Sequence, residues 1–107
     1  MREQLPNRRL AETFEFELAQ LHYTCTIGRY ADGRLAEVFL QNTKAGSQSD
    51  ANARESAIAA SLALQFGCPF EVLRGAVLRN PDGTAAAPLG AALDAIANTS
   101  PAEEQEP

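Results

Sequence analysis

Two cysteines, one histidine and no tryptophan occur in the 107 residues, and each scarcity narrows the chemistry open to the chain. Cys25 and Cys68 stand far apart with no CxxC partner, so neither a disulfide framework nor a zinc ribbon is indicated, and reduced, buried thiols are expected. Redox chemistry needs a thiol near a second thiol or an activating base, and the spacing offers neither. His22 shares its strand with Cys25 at odd spacing, which puts the two on opposite faces, and no metal site is expected. Ser47 and Ser61 lie in no nucleophile-elbow pattern, with one histidine to serve as base, so no catalytic residue is assigned and Ser61 reads as a small packing residue. No run reaches the ~20 apolar residues of a membrane span, and the start MREQLPNRR lacks a signal peptide's apolar segment, so a cytoplasmic protein with no membrane partner is expected. Positive charge is also short. A net charge of −5 and a pI near 4.8 argue against nucleic acid as a partner, since phosphate affinity comes from clustered cations.

Apolar residues make up 45% of the chain, ordinary for a globular protein, and the length suits one domain with one core. The acidity is partly local: Glu103, Glu104 and Glu106 lie in a segment without large apolar residues. Residues 1–97 are therefore read as one α+β domain and 98–107 as an acidic, disordered tail.

Thr13 to Leu18 alternates apolar and acidic residues, which sets Phe14, Phe16 and Leu18 on one face of a half-buried strand. Beyond Ala19-Gln20, Leu21, Tyr23, Cys25 and Ile27 repeat that pattern. Asp32-Gly33 offers the left-handed backbone of a tight turn, and Arg34 to Gln41 reads as a third strand. Connections this short make an antiparallel meander. The period then changes. From about Asp50 to Phe66 the spacing predicts a helix capped by Ser49 or Asp50, with Ile58, Leu62 and Phe66 as its apolar stripe, Ala57, Ser61 and Leu64 nearby, and Gly67 as its stop. Pro69 opens a second helix, with Val72, Leu73, Ala76 and Val77 facing inward. Asn80-Pro81-Asp82-Gly83 is a turn, Gly83 to Gly90 a small-residue linker, and a third helix from Pro88 covers the core with Leu89, Leu93 and Ile96. No convincing internal repeat is found. The expected fold is α+β, a three-stranded antiparallel meander followed by two or three helices packed on one face.

The segment from Lys44 to Asp50 is the candidate binding loop. Gly46 permits close backbone approach, a helix start presents amide hydrogens to an anion, and Lys44 and Ser47 add donors. It lacks the GxxxxGK[ST] phosphate signature, Asp50 would repel an anion that shared its position, and a plain strand-to-helix connection stays open as the other reading. Arg29 and Arg34 flank the hairpin turn and could form a small basic patch.

Leu5-Pro-Asn-Arg-Arg9, Glu12-Thr-Phe-Glu-Phe16, Gly28-Arg29, the stretch from Asp32 to Phe39, Lys44-Ala-Gly-Ser47, Ser61 to Gln65 with Gly67, and Pro88-Leu-Gly90 together resemble the TSCPD-domain family. That family occurs as a terminal module of vitamin B12-dependent (class II) ribonucleotide reductases and as short stand-alone proteins. The Thr-Ser-Cys-Pro-Asp string that names it is missing, and Cys68-Pro69 is followed by Phe70, so no metal or thiol role attached to that string is carried over.

The resemblance implies a link to deoxyribonucleotide synthesis and, through the family, to ribonucleoside-diphosphate reductase activity. Reduction of a ribonucleotide needs a barrel that encloses the nucleotide, a radical-generating cofactor, a radical-bearing thiol and a dithiol reductant, which this chain does not accommodate. Adenosylcobalamin enters by family association only, and no cofactor bound by the chain itself is expected. The expectation is a non-catalytic accessory or regulatory binding module for a reductase chain, with Arg29, Arg34, Glu37 and Lys44 at its contact surface. The alternatives are a nucleotide or phosphate sensor using Lys44, Gly46 and Ser47, and an enzyme subunit completed across a homo-oligomer formed through open sheet edges.

Overall fold

A computed structural model describes residues 1–6 and 11–98; the expected tail beyond Asn98 and the Asn7-Arg8-Arg9 part of the family resemblance lie outside these. Strands β1 (Ala11–Leu18), β2 (Leu21–Arg29) and β3 (Leu35–Asn42) form an antiparallel sheet in the order β1-β2-β3, followed by helices α1 (Gln48–Gln65), α2 (Phe70–Ala76) and α3 (Pro88–Asn98). This is the expected α+β meander, with three helices after it.

Strand alternation decides what the sheet buries. Phe14 opposes Cys25 and Phe16 opposes Tyr23 in register, with the Phe16 and Tyr23 rings stacked at 5.4 Å. Tyr23, Cys25 and Ile27 continue into Leu40 and Val38 on the same face. Between Gly28 and Arg29 the register slips, and Ala36 is the extra residue of a bulge. That insertion reverses the parity of β3, so Leu35 before it and Val38 after it both reach the core. Leu93, Ala92 and Ile96 of α3 close the core, with Phe70, Leu73 and Val77 packed at its margin.

Helix α1 departs from the expected stripe. Ile58 is 60% exposed, Phe66 59% and Leu62 40%, whereas Ala53, Ala57, Ala60 and Leu64 are buried. The reason is what α1 lies against: it runs along the open edge of β3 and supplies polar groups to it. Gln65 Nε2 donates to the Ala36 carbonyl at 3.0 Å, and Asp50 Oδ1 accepts from Asn42 N–H at 2.9 Å. Ser61 Oγ accepts from Val38 N–H at 2.8 Å and donates to Val38 C=O at 3.1 Å, so it satisfies a strand edge as well as filling space. These short side chains reach the strand only if the helix lies close, and alanine on the contact face permits that; a stripe of Ile, Leu and Phe would hold it off.

Three other expectations change in detail. The N-cap of α1 is Ser47, whose Oγ accepts from Asp50 N–H at 3.2 Å; Ser49 and Asp50 are instead turned toward Asn42. Pro69 is the N-cap of α2 rather than its first residue, and Val72 is 59% exposed while Phe70 takes its inward place. Of the two thiols only Cys25 is buried; Cys68 is part-exposed, since it directly follows the helix stop. That stop is as expected: Gly67 has φ 105°, and Gly67 and Cys68 N–H return to the carbonyls of Leu64 and Ala63.

Candidate functional site

The expected site residues fall into two groups at opposite ends of β3, separated by roughly 25 Å on a strand rise of about 3.3 Å per residue. At one end lies the hairpin turn that carries Arg29 and Arg34. At the other lies the loop with Lys44, Gly46 and Ser47.

In the loop, Gly46 adopts φ 81° and its N–H points to Asp50 Oδ2 at 3.3 Å. Asp50 is buried, and its carboxyl is held below the usual carboxylate range by the backbone amide of Asn42 first, then by Gly46 and Arg54. The carboxylate of the chain itself thus occupies the position in which the loop amides would receive an external anion. Ser47 Oγ is engaged as the cap and by the Lys44 carbonyl at 2.7 Å. Lys44 itself is exposed. The geometry is that of a strand-to-helix connection locked by an internal acid.

The hairpin end is more open to a ligand. Arg29 is 11% exposed; its Nε donates to Glu12 Oε1 at 2.8 Å and its Nη1 to the Gly33 carbonyl at 3.0 Å. Arg34 is 57% exposed, stacks over the Tyr30 ring at 4.6 Å, and pairs with Asp32 at 2.7 Å and Glu3 at 3.0 Å. The Glu3 hydrogen bond, with Asp32 behind it, raises the Arg34 pKa, while burial raises that of Tyr30. Both arginines line a hollow of about 330 Å³, where they are joined by Arg74 and Glu71 of α2 and by Ile96 of α3. Arg74 has no motif around it, and only the packing of α2 beside the hairpin brings it there. Glu37 belongs to neither group's rim. It is buried on the outer sheet face across from Gly28, where a Cβ on residue 28 would come within 2.8 Å of Glu37 Cγ and against its carboxylate. Glycine at position 28 is what lets that side chain lie down.

Other chemistry is remote from both groups. Cys25 is fully buried, and burial pushes its thiol up to about 12. His22 sits on the opposite sheet face, 3.2 Å from Glu17. Among the described residues, no group of three or more His, Cys, Asp and Glu could hold a metal ion, and no helix is long and apolar enough to cross a membrane.

The chain is 39% identical over 70 residues to the vitamin B12-dependent ribonucleotide reductase of Agrobacterium fabrum (strain C58). It is 36% identical over 72 residues to that of Rhodopirellula baltica, and 36% identical over 70 residues to that of Bradyrhizobium diazoefficiens. The matched stretch is module-sized. It is 65 to 67% of this chain but 6 to 7% of each relative's length. No family model matches the chain, and no solved structure matches it.

Hollows among the described residues measure about 230 to 370 Å³, and His22 lines none of these.

Proposed function

We propose that the chain is a non-catalytic accessory or regulatory module, of the TSCPD type, that acts with a vitamin B12-dependent ribonucleotide reductase in deoxyribonucleotide synthesis. The observation that carries this reading is the identity of 36 to 39% confined to 6 to 7% of the reductase length. Burial pushes the Cys25 thiol up, which withholds that residue from thiolate chemistry. The partner is a reductase chain, and the contact surface is the hairpin end, where Arg34 is the exposed cation and Arg29 the buried support. Lys44 forms a second contact, and Glu37 fixes the sheet face between them. The test is retrieval from the native host: the tagged chain brings down a B12-dependent reductase, and Arg34→Ala reduces the yield. Retrieval of no reductase chain at native expression sinks the proposal.

A nucleotide ligand is the second reading, favoured by the three arginines around the 330 Å³ hollow rather than by the Gly46 loop. Calorimetric titration with ribonucleotides and deoxyribonucleotides gives saturable heat if it holds, lost in Arg74→Ala; no heat at millimolar nucleotide removes it. Self-association through a sheet edge, if it occurs, falls to β1, since α1 side chains occupy the edge of β3. The alternating glutamates of β1 oppose such pairing.

A further inference from the structure

The solvent side of α1 carries two parallel rows of residues spaced by four. One is Arg54, Ile58, Leu62 and Phe66; the other is Ala51, Glu55, Ala59 and Ala63. Rows of this spacing form the ridges and grooves by which helices pack on each other. The first row stands high, since Ile58 is 60% exposed, Phe66 59% and Leu62 40%. The second is low, because three of its four side chains are methyl groups, with Ala51 and Ala59 exposed and Ala63 half-buried. A groove therefore runs beside the ridge on the same helix. Phe39, on the outer sheet face opposite Thr26, flanks the ridge on its other side and shares two hollows with Ile58.

Phe39, Ile58, Leu62 and Phe66 together leave roughly 400 Å² open, at about 200 Å² for each whole residue, and the exposed alanines enlarge it. Apolar surface makes up about 57% to 65% of a subunit interface, so the roughly 800 Å² that each partner gives to a stable contact contains about 450–520 Å² of it. Compared apolar with apolar, the face is the size of one side of an ordinary interface. Arg54 lies 3.6 Å from Asp50 of its own helix, so the ridge demands no counter-charge from whatever covers it. What selects the occupant is the pairing of ridge and groove. An unrelated partner has to supply a ridge of matching spacing, whereas a second copy already carries one. A two-fold axis then lets each ridge enter the other's groove at once.

We propose that this face of α1 is a two-fold interface with a second copy of the chain. The two helices cross at about −50°, the angle at which rows spaced by four interlock. Ile58 and Leu62 of each copy enter the groove over Ala59 of the other, and Phe39 and Phe66 flank that crossing. Arg29, Arg34 and Arg74 line a different hollow, so the dimer leaves the surface assigned to a reductase chain open, and either reading can fail without the other.

Sedimentation equilibrium of the full chain, from about 1 µM to about 0.5 mM, is the test. Ile58→Asp breaks the ridge. Ala59→Arg is the sharper variant, since it keeps every large apolar residue and only fills the groove. Both positions are exposed, and melting curves in dilute solution check that each variant folds; should one melt lower, Leu62→Gln replaces it. The expected result is a mass of two chains at the concentrated end, with the dissociation constant raised at least about tenfold by either variant. A single-chain mass throughout overturns the proposal, as does a dimer that either variant leaves unchanged. If the chain stays single and Ile58→Asp loses the retrieved reductase, the face belongs to that partner, and the proposal falls while the reductase reading stands.

Discussion

Two turns in this chain are built alike and lead to different ends. In Arg29 to Arg34, Tyr30 N–H bonds the Arg34 carbonyl at 2.9 Å, Gly33 N–H bonds the Tyr30 carbonyl at 2.9 Å, and Asp32 Oδ1 accepts from Arg34 N–H at 3.0 Å. In Arg79 to Thr84, Asn80 N–H bonds the Thr84 carbonyl at 2.8 Å, Gly83 N–H bonds the Asn80 carbonyl at 2.9 Å, and Asp82 Oδ1 accepts from Thr84 N–H at 3.0 Å. Each glycine is left-handed, φ 95° and 90°, and its carbonyl accepts from the arginine four residues earlier. Each arginine also grips one acid elsewhere, Arg29 holding Glu12 of β1 and Arg79 holding Asp94 of α3. Yet the first turn continues into two long strands, while the second yields only the isolated bridge between Arg79 and Ala85. The turn chemistry is therefore local, and sheet growth is not. Ile27, Leu35 and Val38 beside the first turn have a core to enter, whereas Leu78 beside the second is 76% exposed and Pro88 soon starts a helix.

The largest test of that difference replaces the two glycines. Valine at a left-handed position is strained wherever it occurs, but only the first turn holds core strands together. Gly33→Val is expected to lower unfolding stability by about 2–3 kcal/mol in urea titration, and Gly83→Val by about 1 kcal/mol or less, with the loss confined to local hydrogen exchange. Equal losses would mean that the second turn is as structural as the first. Next, Arg29→Ala leaves the Gly33 carbonyl and Glu12 without their donor in a partly buried place, a cost of about 1–2 kcal/mol by the same measurement.

Asp94 gives the second turn a pH signature. Its hydrogen bonds from Arg79 at 2.7 and 2.8 Å, and then that from Arg74 at 2.9 Å, outweigh burial and hold its carboxyl down at about 2. A depressed folded-state value contributes stability that is complete above the ordinary carboxylate pKa and is lost as pH falls from about 4 toward 2. Stability measured over that window should drop by about 1 kcal/mol more in the natural chain than in Asp94→Asn, allowing for partial exposure of the pair. The same slope in both would show that the clamp is not felt.

The smallest effect comes from the remaining hairpin, which has no glycine. Ala19 and Gln20 both adopt positive φ, 52° and 67°, a turn that favours Asn-Gly. Gln20→Gly is expected to raise the melting point, corresponding to about 0.5–1 kcal/mol, because it relieves strain at no lost contact. A lower melting point would mean that the Gln20 side chain contributes more than its backbone costs.

Much of this fold is legible in the residues, and the misses share one cause. Period-two alternation marks β1 and β2, Asp-Gly marks both three-residue turns, and Gly67 marks the end of α1, because each signal acts over a few neighbouring residues. The candidate site is legible only in part. Arg29 and Arg34 do meet in one hollow, but their companion Arg74 carries no signal of its own, and Gly46 could not be read as satisfied by Asp50 without knowing where that carboxylate turns.

Helix α1 makes the division clearest. Its sequence alone sets a helix, its stop and an apolar stripe of Ile58, Leu62 and Phe66, with the small-residue surface of Ala57, Ser61 and Leu64 beside it. Hydropathy favours burying the larger side chains. Only the tertiary structure selects the alanine face, because the unpaired backbone of β3 has to be met by Asp50, Ser61 and Gln65 at hydrogen-bond range, and only small side chains let the helix come that close. The large apolar residues are left outside as a consequence.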